Sequence, residues 1–179
     1  TGFHLILLFA ISRGWSLHCS DCSSAFLQGG AAPERPEAIF GRLPQDPIFS
    51  AAVDTSAHGN IWVIVGSVYG LVNSPRLWHK EVVRRMLAAR WVQHSLDPAF
   101  FLRWSDGGVL LALAGIHVDD MVSCFGTSPE ARSAKQALQD AFEWSEFKTD
   151  EFIYCGRSAK AGRLNKAIVV NVQNFINGT

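Results

Sequence analysis

The stretch Ala114-Gly115-Ile116-His117-Val118-Asp119-Asp120-Met121-Val122-Ser123 places two adjacent carboxylates between two apolar runs. The first run covers residues 109–116 and the second residues 121–125, and this pattern predicts a β-hairpin with an acidic tip. Asp is unfavourable inside a strand, and neighbouring carboxylates repel each other unless a positive group lies close by. The tip is therefore either a solvated Asp-Asp turn or one half of a divalent-cation site.

A third carboxylate lies in similar surroundings far upstream. Residues 15–21, Trp-Ser-Leu-His-Cys-Ser-Asp, predict a strand that ends on Asp21. If this strand lies beside the hairpin, Asp21 and Asp119 come together and offer hard oxygen ligands to a divalent cation. Such a cluster suits one or two metal ions, because two ions about 3.5–4 Å apart stabilise both oxygens of an in-line phosphoryl displacement.

Three ordered motifs together resemble the reverse transcriptase of copia-type LTR retrotransposons. They are Asp21-x-x-x-Ala25-Phe26-Leu27, Tyr69-Gly70-Leu71-x-x-x-Pro75-Arg76-x-Trp78 and His117-Val118-Asp119-Asp120. Smaller matches are Arg13-Gly14-Trp15-x-Leu17-His18, Asp97-Pro98-x-x-Phe101 and Tyr154-x-Gly156. Each motif alone is weak, but the ordered set is specific and covers nearly the whole chain.

The order of predicted elements, helix, strand, helix, hairpin, helix and strand, is typical of an α+β fold with helices on one face of an antiparallel sheet. The resemblance implies that this sheet is palm-like, with an RRM- or ferredoxin-like core. With 179 residues, 48% of them hydrophobic and 18% charged, the chain is expected to form one domain, residues 1–179. Because it begins at Thr1, we expect it to be a fragment of a longer polyprotein.

Two segments of this domain have expected positions in the family architecture. Residues 31–60 are rich in Pro, Ala, Ser and Gly and predict a loop-rich insertion on the fingers side, with one short strand around residues 38–43. Residues 152–173 predict a primer-grip-like hairpin, for which an ordinary edge hairpin is the alternative.

Periodicity and capping signals predict the remaining elements. They are a buried helix over residues 3–11 that stops at Gly14, a strand over 61–65, a helix over 76–90 with Trp78 at the flank of its buried side, a helix that opens with a Thr127–Glu130 capping box and ends near Trp144, and strands over 152–157 and 167–172.

The resemblance implies an enzyme, an RNA-directed DNA polymerase, with Asp21, Asp119 and Asp120 as catalytic and metal-binding residues. In the implied two-metal nucleotidyl transfer, Asp21 and Asp119 ligate two Mg²⁺ ions, with Mn²⁺ as an alternative, and Asp120 supports them electrostatically. Whether the fragment is active by itself is left open, because the basic fingers strands and most of the thumb are expected to lie outside it.

Phe26 and Arg76 are expected to bind the incoming nucleotide. By resemblance, Phe26 is the steric gate whose ring lies under the sugar and excludes a 2′-hydroxyl; the alternative is that Phe26 is simply part of the core. Arg76 belongs to a basic stripe, with Lys80 and Arg84 at i+4 and i+8.

The same stripe is the expected template and primer contact. Arg85 and Arg90 are expected to add to it. A stripe of this kind is either a solvated helix face or, beside a carboxylate site, a surface that attracts phosphates.

Three further residues, His117, Tyr154 and Gly156, are expected to contact the template-primer. His117 occupies the position where most relatives have Tyr, and its ring is expected to pack against a primer end. Tyr154 and Gly156 belong to the primer-grip-like hairpin.

Two other functions stay open. Val72, Asn73 and His117 depart from the family pattern at contact positions, which favours a decayed retrotransposon remnant as one alternative. The other is a non-catalytic RRM-like nucleic-acid-binding domain, which needs exposed aromatic residues on its strands and has no use for the acidic cluster. The net charge of +0 argues against a free-standing nucleic-acid binder but leaves room for a local basic stripe.

The four cysteines, Cys19, Cys22, Cys124 and Cys155, form no disulfide framework in a chain of this length. Cys19 and Cys22 fall on opposite faces of a strand and do not suit a zinc site, so we expect buried, reduced thiols. Reduced thiols favour an intracellular protein, in a cytoplasmic virus-like particle, the nucleus or both.

The resemblance also implies the binding partners of the chain. They are an RNA/DNA template-primer duplex, deoxynucleoside triphosphates and the rest of the polyprotein, with integrase and RNase H. No membrane is expected, because the apolar run over residues 3–11 is far shorter than the roughly 20 residues that span a bilayer.

Overall fold

A six-stranded antiparallel sheet is the centre of the fold in the computed structural model, which describes residues 2–30, 37–42, 61–162 and 167–171. The helices are α1 (Gly2–Arg13), α2 (Ser74–Ala88) and α3 (Pro129–Ala141), with a short 3₁₀ helix at Ala25–Gln28. The strands are β1 (Ser16–Cys22), β2 (Ile39–Arg42), β3 (Ile61–Ile64), β4 (Trp91–Gln93), β5 (Phe100–Trp104), β6 (Leu110–His117), β7 (Asp120–Phe125), β8 (Trp144–Thr149), β9 (Glu151–Tyr154), β10 (Arg157–Gly162) and β11 (Ala167–Asn171).

The central sheet has the strand order β4-β5-β6-β7-β1-β8. Strands β9, β10 and β11 form a separate three-stranded sheet, and β2 pairs with β3 alone. All the pairings between these strands are antiparallel. The prediction of an α+β fold is confirmed.

The predicted acidic hairpin is present as β6 and β7. His117 pairs with Asp120 at its end, so Val118 and Asp119 form a two-residue turn. Val118 adopts the left-handed conformation, with φ 57°, which a turn of this length requires. Strand β1 lies on the other side of β7, with Asp21 opposite Asp120.

The helices cover both faces of the central sheet, so the prediction that they share one face is wrong. Alternate residues of β6 point to opposite faces. Ala112 and Ala114 pack in the cluster that contains side chains of α2 and α3, whereas Leu113 packs against α1. The physical reason lies in the strands themselves: residues 111–116 and 121–125 are buried throughout, so both faces need an apolar cover.

The buried face of helix α2 includes Trp78, which the sequence predicted at its flank. Trp78 was expected at the flank, but it is only 2% exposed and lies in line with Ser74, Val82 and Met86 on the buried face. These residues recur every four positions, the spacing of one helix face, and the large indole fills the space between α2 and the hairpin.

Two short edge strands were not predicted. Strand β4 pairs with β5, and β8 pairs with β1. The helix that was expected to end near Trp144 ends at Ala141, and the chain then extends into β8. Edge strands of this kind carry mixed apolar and polar residues, so their pairing depends on the neighbouring strand rather than on their own sequence.

The predicted strand over residues 152–157 is instead a hairpin between β9 and β10. Cys155 and Gly156 have φ values of 47° and 74° and form its two-residue turn. A capping prediction is also corrected: Ser128, rather than Thr127, caps α3, since its hydroxyl accepts a hydrogen bond from the backbone N–H of Ala131 at 3.1 Å.

Most of the predicted insertion at residues 31–60 lies outside the described residues. The short strand expected around residues 38–43 is confirmed as β2. The expectation of buried thiols holds for Cys19, Cys22 and Cys124 but not for Cys155, which is exposed in the β9–β10 turn. Among the helices that the structure describes, none has the length and apolar character needed to cross a membrane.

A buried histidine lies beneath α3. His18 is 1% exposed, and its ring nitrogens lie 2.9 Å from the Thr149 hydroxyl and 3.0 Å from the Ser16 hydroxyl. Burial, reinforced by the Lys135 ammonium, lowers the pKa of His18 to about 4. The neutral imidazole is therefore the form that the fold requires.

This burial predicts a loss of stability in mild acid. Because the folded-state pKa of His18 is about 4 against an ordinary value of 6.5, the unfolded chain binds the proton more readily. Neutral His18 makes its full contribution to the free energy of unfolding above about pH 6.5. As the pH falls toward about 4, this free energy decreases by roughly 2–3 kcal/mol. Urea unfolding at a series of pH values should show that the free energy of unfolding depends less steeply on pH in His18→Gln than in the wild type. His4→Gln, at an exposed histidine of α1, is the control, and parallel curves for wild type and His18→Gln would contradict the assignment.

Candidate active site

Backbone pairing brings the three predicted catalytic positions to one end of the central sheet. Asp21 at the end of β1 and Asp120 at the start of β7 are direct cross-strand partners. Their side chains therefore leave the same face of the sheet. The carbonyl of Asp119 accepts a hydrogen bond from the backbone N–H of Cys22 at 2.9 Å, which ties the hairpin turn to β1.

Negative charge is concentrated at this end. Burial raises the pKa of Asp120, and the neighbouring carboxylates of Asp119 and Asp21 raise it further, while a hydrogen bond from the Cys155 backbone N–H opposes the shift. The thiol of Cys22 is affected in the same way: burial, with Asp21 and Asp119 beside it, raises its pKa to about 12. Mutual repulsion of this kind is relieved by a cation.

The carboxylates have separate partners in the structure. The hydroxyl of Ser145 on β8 donates a hydrogen bond to the Asp21 carboxylate, and the Cys155 sulfur lies 3.9 Å from Oδ2 of Asp120. Within the described residues, no group of three or more His, Cys, Asp or Glu side chains is close enough to hold a metal ion. The donor chemistry, hard carboxylate oxygens at one crowded end of a sheet, fits Mg²⁺ or Mn²⁺, but the structure does not show a metal site.

Sequence reasoning missed Ser145 and Cys155 as neighbours of the acidic end. Ser145 lies on β8, a strand that had no recognisable pattern, and Cys155 comes close to Asp120 only because a turn interrupts the predicted strand. A serine or a cysteine in the sequence does not indicate a position next to the acidic end, because both contacts depend on how strands pair across the sheet.

Phe26 lies on the 3₁₀ helix that follows β1 and is half-buried. Its ring centroid is 4.9 Å from that of Tyr69, and the ring also packs against the core cluster of α2 and α3. A cavity of about 240 Å³ adjoins the ring and reaches the hairpin turn. Its lining is apolar except for two histidines and consists of Phe26, Pro75, Trp78, His79, Val82, Ala99, Ile116, His117 and Val118.

The predicted basic stripe is shorter than expected. Arg76 and Lys80 are exposed on α2. Arg84 is also exposed, but its guanidinium donates two hydrogen bonds to Glu81, at 2.7 and 2.6 Å. Together with Arg85, it lowers the pKa of Glu81 to about 2. The Arg84 side chain is 66% exposed, so it remains accessible to a competing phosphate.

The two arginines expected to extend the stripe do not do so. Arg85 points inward, where it donates hydrogen bonds to the Gln28 side chain at 3.0 Å and to the Ala141 carbonyl at 3.2 Å. Arg90 forms an exposed ion pair with Asp106 in the β5–β6 turn. Arg85 is therefore committed within the fold as a link between α2 and α3, whereas Arg90 is paired at the surface.

The remaining predicted contacts lie around the acidic end. His117 is exposed at the end of β6, beside Asp120 in the strand register. Gly156 lies in the β9–β10 turn, next to the cysteine that approaches Asp120. Tyr154 is 8% exposed, and its ring stacks on Phe3 of α1 with a centroid distance of 4.9 Å, so its side chain is buried in the structure.

Comparison with known proteins gives a consistent result. A family model described as reverse transcriptase (RNA-dependent DNA polymerase) matches residues 2–177. The Retrovirus-related Pol polyprotein from transposon RE2 of Arabidopsis thaliana is 25% identical over 160 residues, which are 89% of this chain and 10% of the relative. The corresponding polyprotein from transposon RE1 of the same plant is 25% identical over 122 residues, or 68% of this chain and 8% of the relative.

The chain thus spans about a tenth of the length of the curated relatives that it matches. The match to the family model covers nearly all of the chain, including all three ordered motifs. The resemblance to copia-type reverse transcriptases that the motifs indicated is confirmed, and the chain belongs to the reverse transcriptase (RNA-dependent DNA polymerase) family.

Proposed function

We propose that this chain is the palm of an RNA-directed DNA polymerase that extends a primer on a nucleic-acid template. The observation that carries the proposal is the cross-strand pairing of Asp21 with Asp120, beside the turn that holds Asp119, in a chain of this family. A catalytic palm needs carboxylates that are distant in sequence but fixed at one position on a sheet, and this pairing supplies them.

The acidic end is the proposed metal-binding site. Asp21 and Asp119 would hold two Mg²⁺ ions, and Asp120 would add negative charge close to them. When bound, such ions lower the pKa of the primer 3′-hydroxyl and stabilise the triphosphate and the departing pyrophosphate. Ser145 fixes one carboxylate oxygen of Asp21 by a hydrogen bond, which limits the rotation of that side chain.

The nucleotide is proposed to bind between the acidic end and α2. In this proposal a deoxyribose packs on the Phe26 ring, whose centroid lies 4.9 Å from that of Tyr69, and the ring excludes a 2′-hydroxyl. Arg76, exposed in the first turn of α2, supplies positive charge for the phosphates.

The template-primer is proposed to lie along the exposed basic residues of α2 and across the β9–β10 turn. Lys80 and Arg84 contact phosphates, and His117 and Gly156 lie near the primer end. Deoxynucleoside triphosphates and the rest of the polyprotein complete the proposed set of partners. The names of the relatives, which are Pol polyproteins, support the last of these.

The covered sheet favours this proposal over a non-catalytic RRM-like domain. An RRM binds RNA on an open sheet face with exposed aromatic residues. Here α1 covers one face of the central sheet, and α2 and α3 cover the other. Nucleic acid would therefore meet the end of the sheet that carries the carboxylates, rather than a sheet face.

The first test removes one carboxylate. Asp119→Asn in the full polypeptide that contains this chain keeps the turn but removes a charged ligand, so primer extension should fall by roughly 10³-fold or more. The measurement is extension of a labelled primer on an RNA template with Mg²⁺ and with Mn²⁺.

Asp106→Asn is the matched control, because Asp106 is an exposed carboxylate of the β5–β6 turn, 84% exposed at its side chain. It should leave extension unchanged. Extension that survives Asp119→Asn would refute the proposed site. A wild-type polypeptide that folds but extends no primer with either metal would instead identify the copy as decayed.

The second test concerns Phe26. If its ring excludes the 2′-hydroxyl, Phe26→Ala should raise the incorporation of ribonucleotides relative to deoxyribonucleotides by about tenfold or more. Single-nucleotide extension with each substrate gives the ratio. Phe142→Ala, at a buried ring of the same core cluster, is the control for lost packing. An unchanged ratio in Phe26→Ala, with lowered stability alone, would assign Phe26 to the core.

A further inference from the structure

A hydrogen bond joins helix α2 to the acidic turn. The indole N–H of Trp78 donates to the backbone carbonyl of Val118, with a nitrogen–oxygen distance of 2.6 Å. Trp78 is 2% exposed and packs edge-to-face on Phe142, with ring centroids 6.0 Å apart. The donor is therefore held rigidly on both sides, by α2 and by the ring that follows α3.

The turn that receives this hydrogen bond needs external support. Val118 is β-branched and lies in the left-handed conformation, with φ 57°, which is unfavourable for such a residue. Its side chain is 46% exposed and contributes little packing. The turn also carries two adjacent carboxylates whose repulsion opposes a compact arrangement.

Both carbonyls of the turn are held from outside the hairpin. Trp78 binds the carbonyl of Val118, and the backbone N–H of Cys22 binds the carbonyl of Asp119 at 2.9 Å. The first hydrogen bond comes from α2 and the second from β1, so the turn is fixed between two separate elements. Only the first depends on a side chain and can be removed by substitution.

We propose that Trp78 is a positioning residue for the acidic turn: its indole N–H fixes the backbone of Val118 so that Asp119 and Asp120 face Asp21. This inference rests on the proposed metal-dependent function, although the constraint on the turn does not. A bulky apolar side chain alone would fill the same space without orienting the turn, because packing has no preferred direction and a hydrogen bond does.

The chain contains a natural control in Trp91. Trp91 is 1% exposed and belongs to the same core cluster, but among the described residues its indole nitrogen has no hydrogen-bond partner. Trp78→Phe and Trp91→Phe therefore remove equal volume from one core. Only the first also removes a hydrogen bond to the turn.

The experiment compares the two variants in the full polypeptide by three measurements. They are Mn²⁺ affinity by electron paramagnetic resonance without nucleic acid, the Mg²⁺ concentration for half-maximal primer extension, and amide hydrogen exchange of residues 117–121. Trp78→Phe should weaken both metal responses by about five- to tenfold, the loss expected for one hydrogen bond, and should speed exchange in the turn. Trp91→Phe should leave all three at wild-type values.

Equal effects of the two variants, or an unchanged turn in Trp78→Phe, would overturn the inference. If Trp78→Phe does not fold, Trp78→benzothienylalanine replaces the N–H with sulfur at nearly the same shape, and the same outcomes apply. A wild-type protein that binds no Mn²⁺ and extends no primer would refute the proposed function. In that case hydrogen exchange alone still decides whether Trp78 fixes the turn.

Discussion

The antiparallel pairing of β1 with β7 is the constraint on which the rest of this structure depends. It places Asp21 opposite Asp120, although Asp21 belongs to the first of the three ordered motifs and Asp120 to the last. A shift of one residue in this register would turn one of the two side chains to the opposite face. The register is protected because β1 and β7 are buried along nearly their whole lengths, so a shift would move every buried side chain of one strand into the packing layer on the opposite face.

The two-faced core explains why the acidic end is well supported. Helix α1 packs on one face of β6 and β7, and α2 and α3 pack on the other. The strands therefore lie between two apolar layers and present their ends, rather than a face, to solvent. Burial, with a smaller effect of the neighbouring carboxylates, raises the pKa of Asp120, so the charged form is disfavoured at this end. Backbone hydrogen bonds to the turn hold the arrangement in spite of the repulsion.

The basic residues of α2 divide into two groups that have different physical roles. Arg85 points inward and links α2 to the 3₁₀ helix and α3, whereas Arg76 and Lys80 face solvent. A chain with zero net charge can therefore still offer local positive charge to a polyanion. The sequence did not predict this division. The basic residues are spaced so that several of them lie on adjoining parts of one helix surface, and the spacing alone does not show which of them point inward.

The sequence by itself determined the hairpin, the strand that carries Asp21 near its end, the α+β class and the family, because apolar periodicity and ordered motifs are local signals. Only the tertiary structure decided that the helices lie on both faces, that β8 brings Ser145 to Asp21, that a turn brings Cys155 to Asp120, and that Trp78 reaches the carbonyl of Val118. Each of these depends on pairing or packing between segments distant in sequence. Local propensity does not determine which strand another strand pairs with, or which carbonyl an indole N–H contacts.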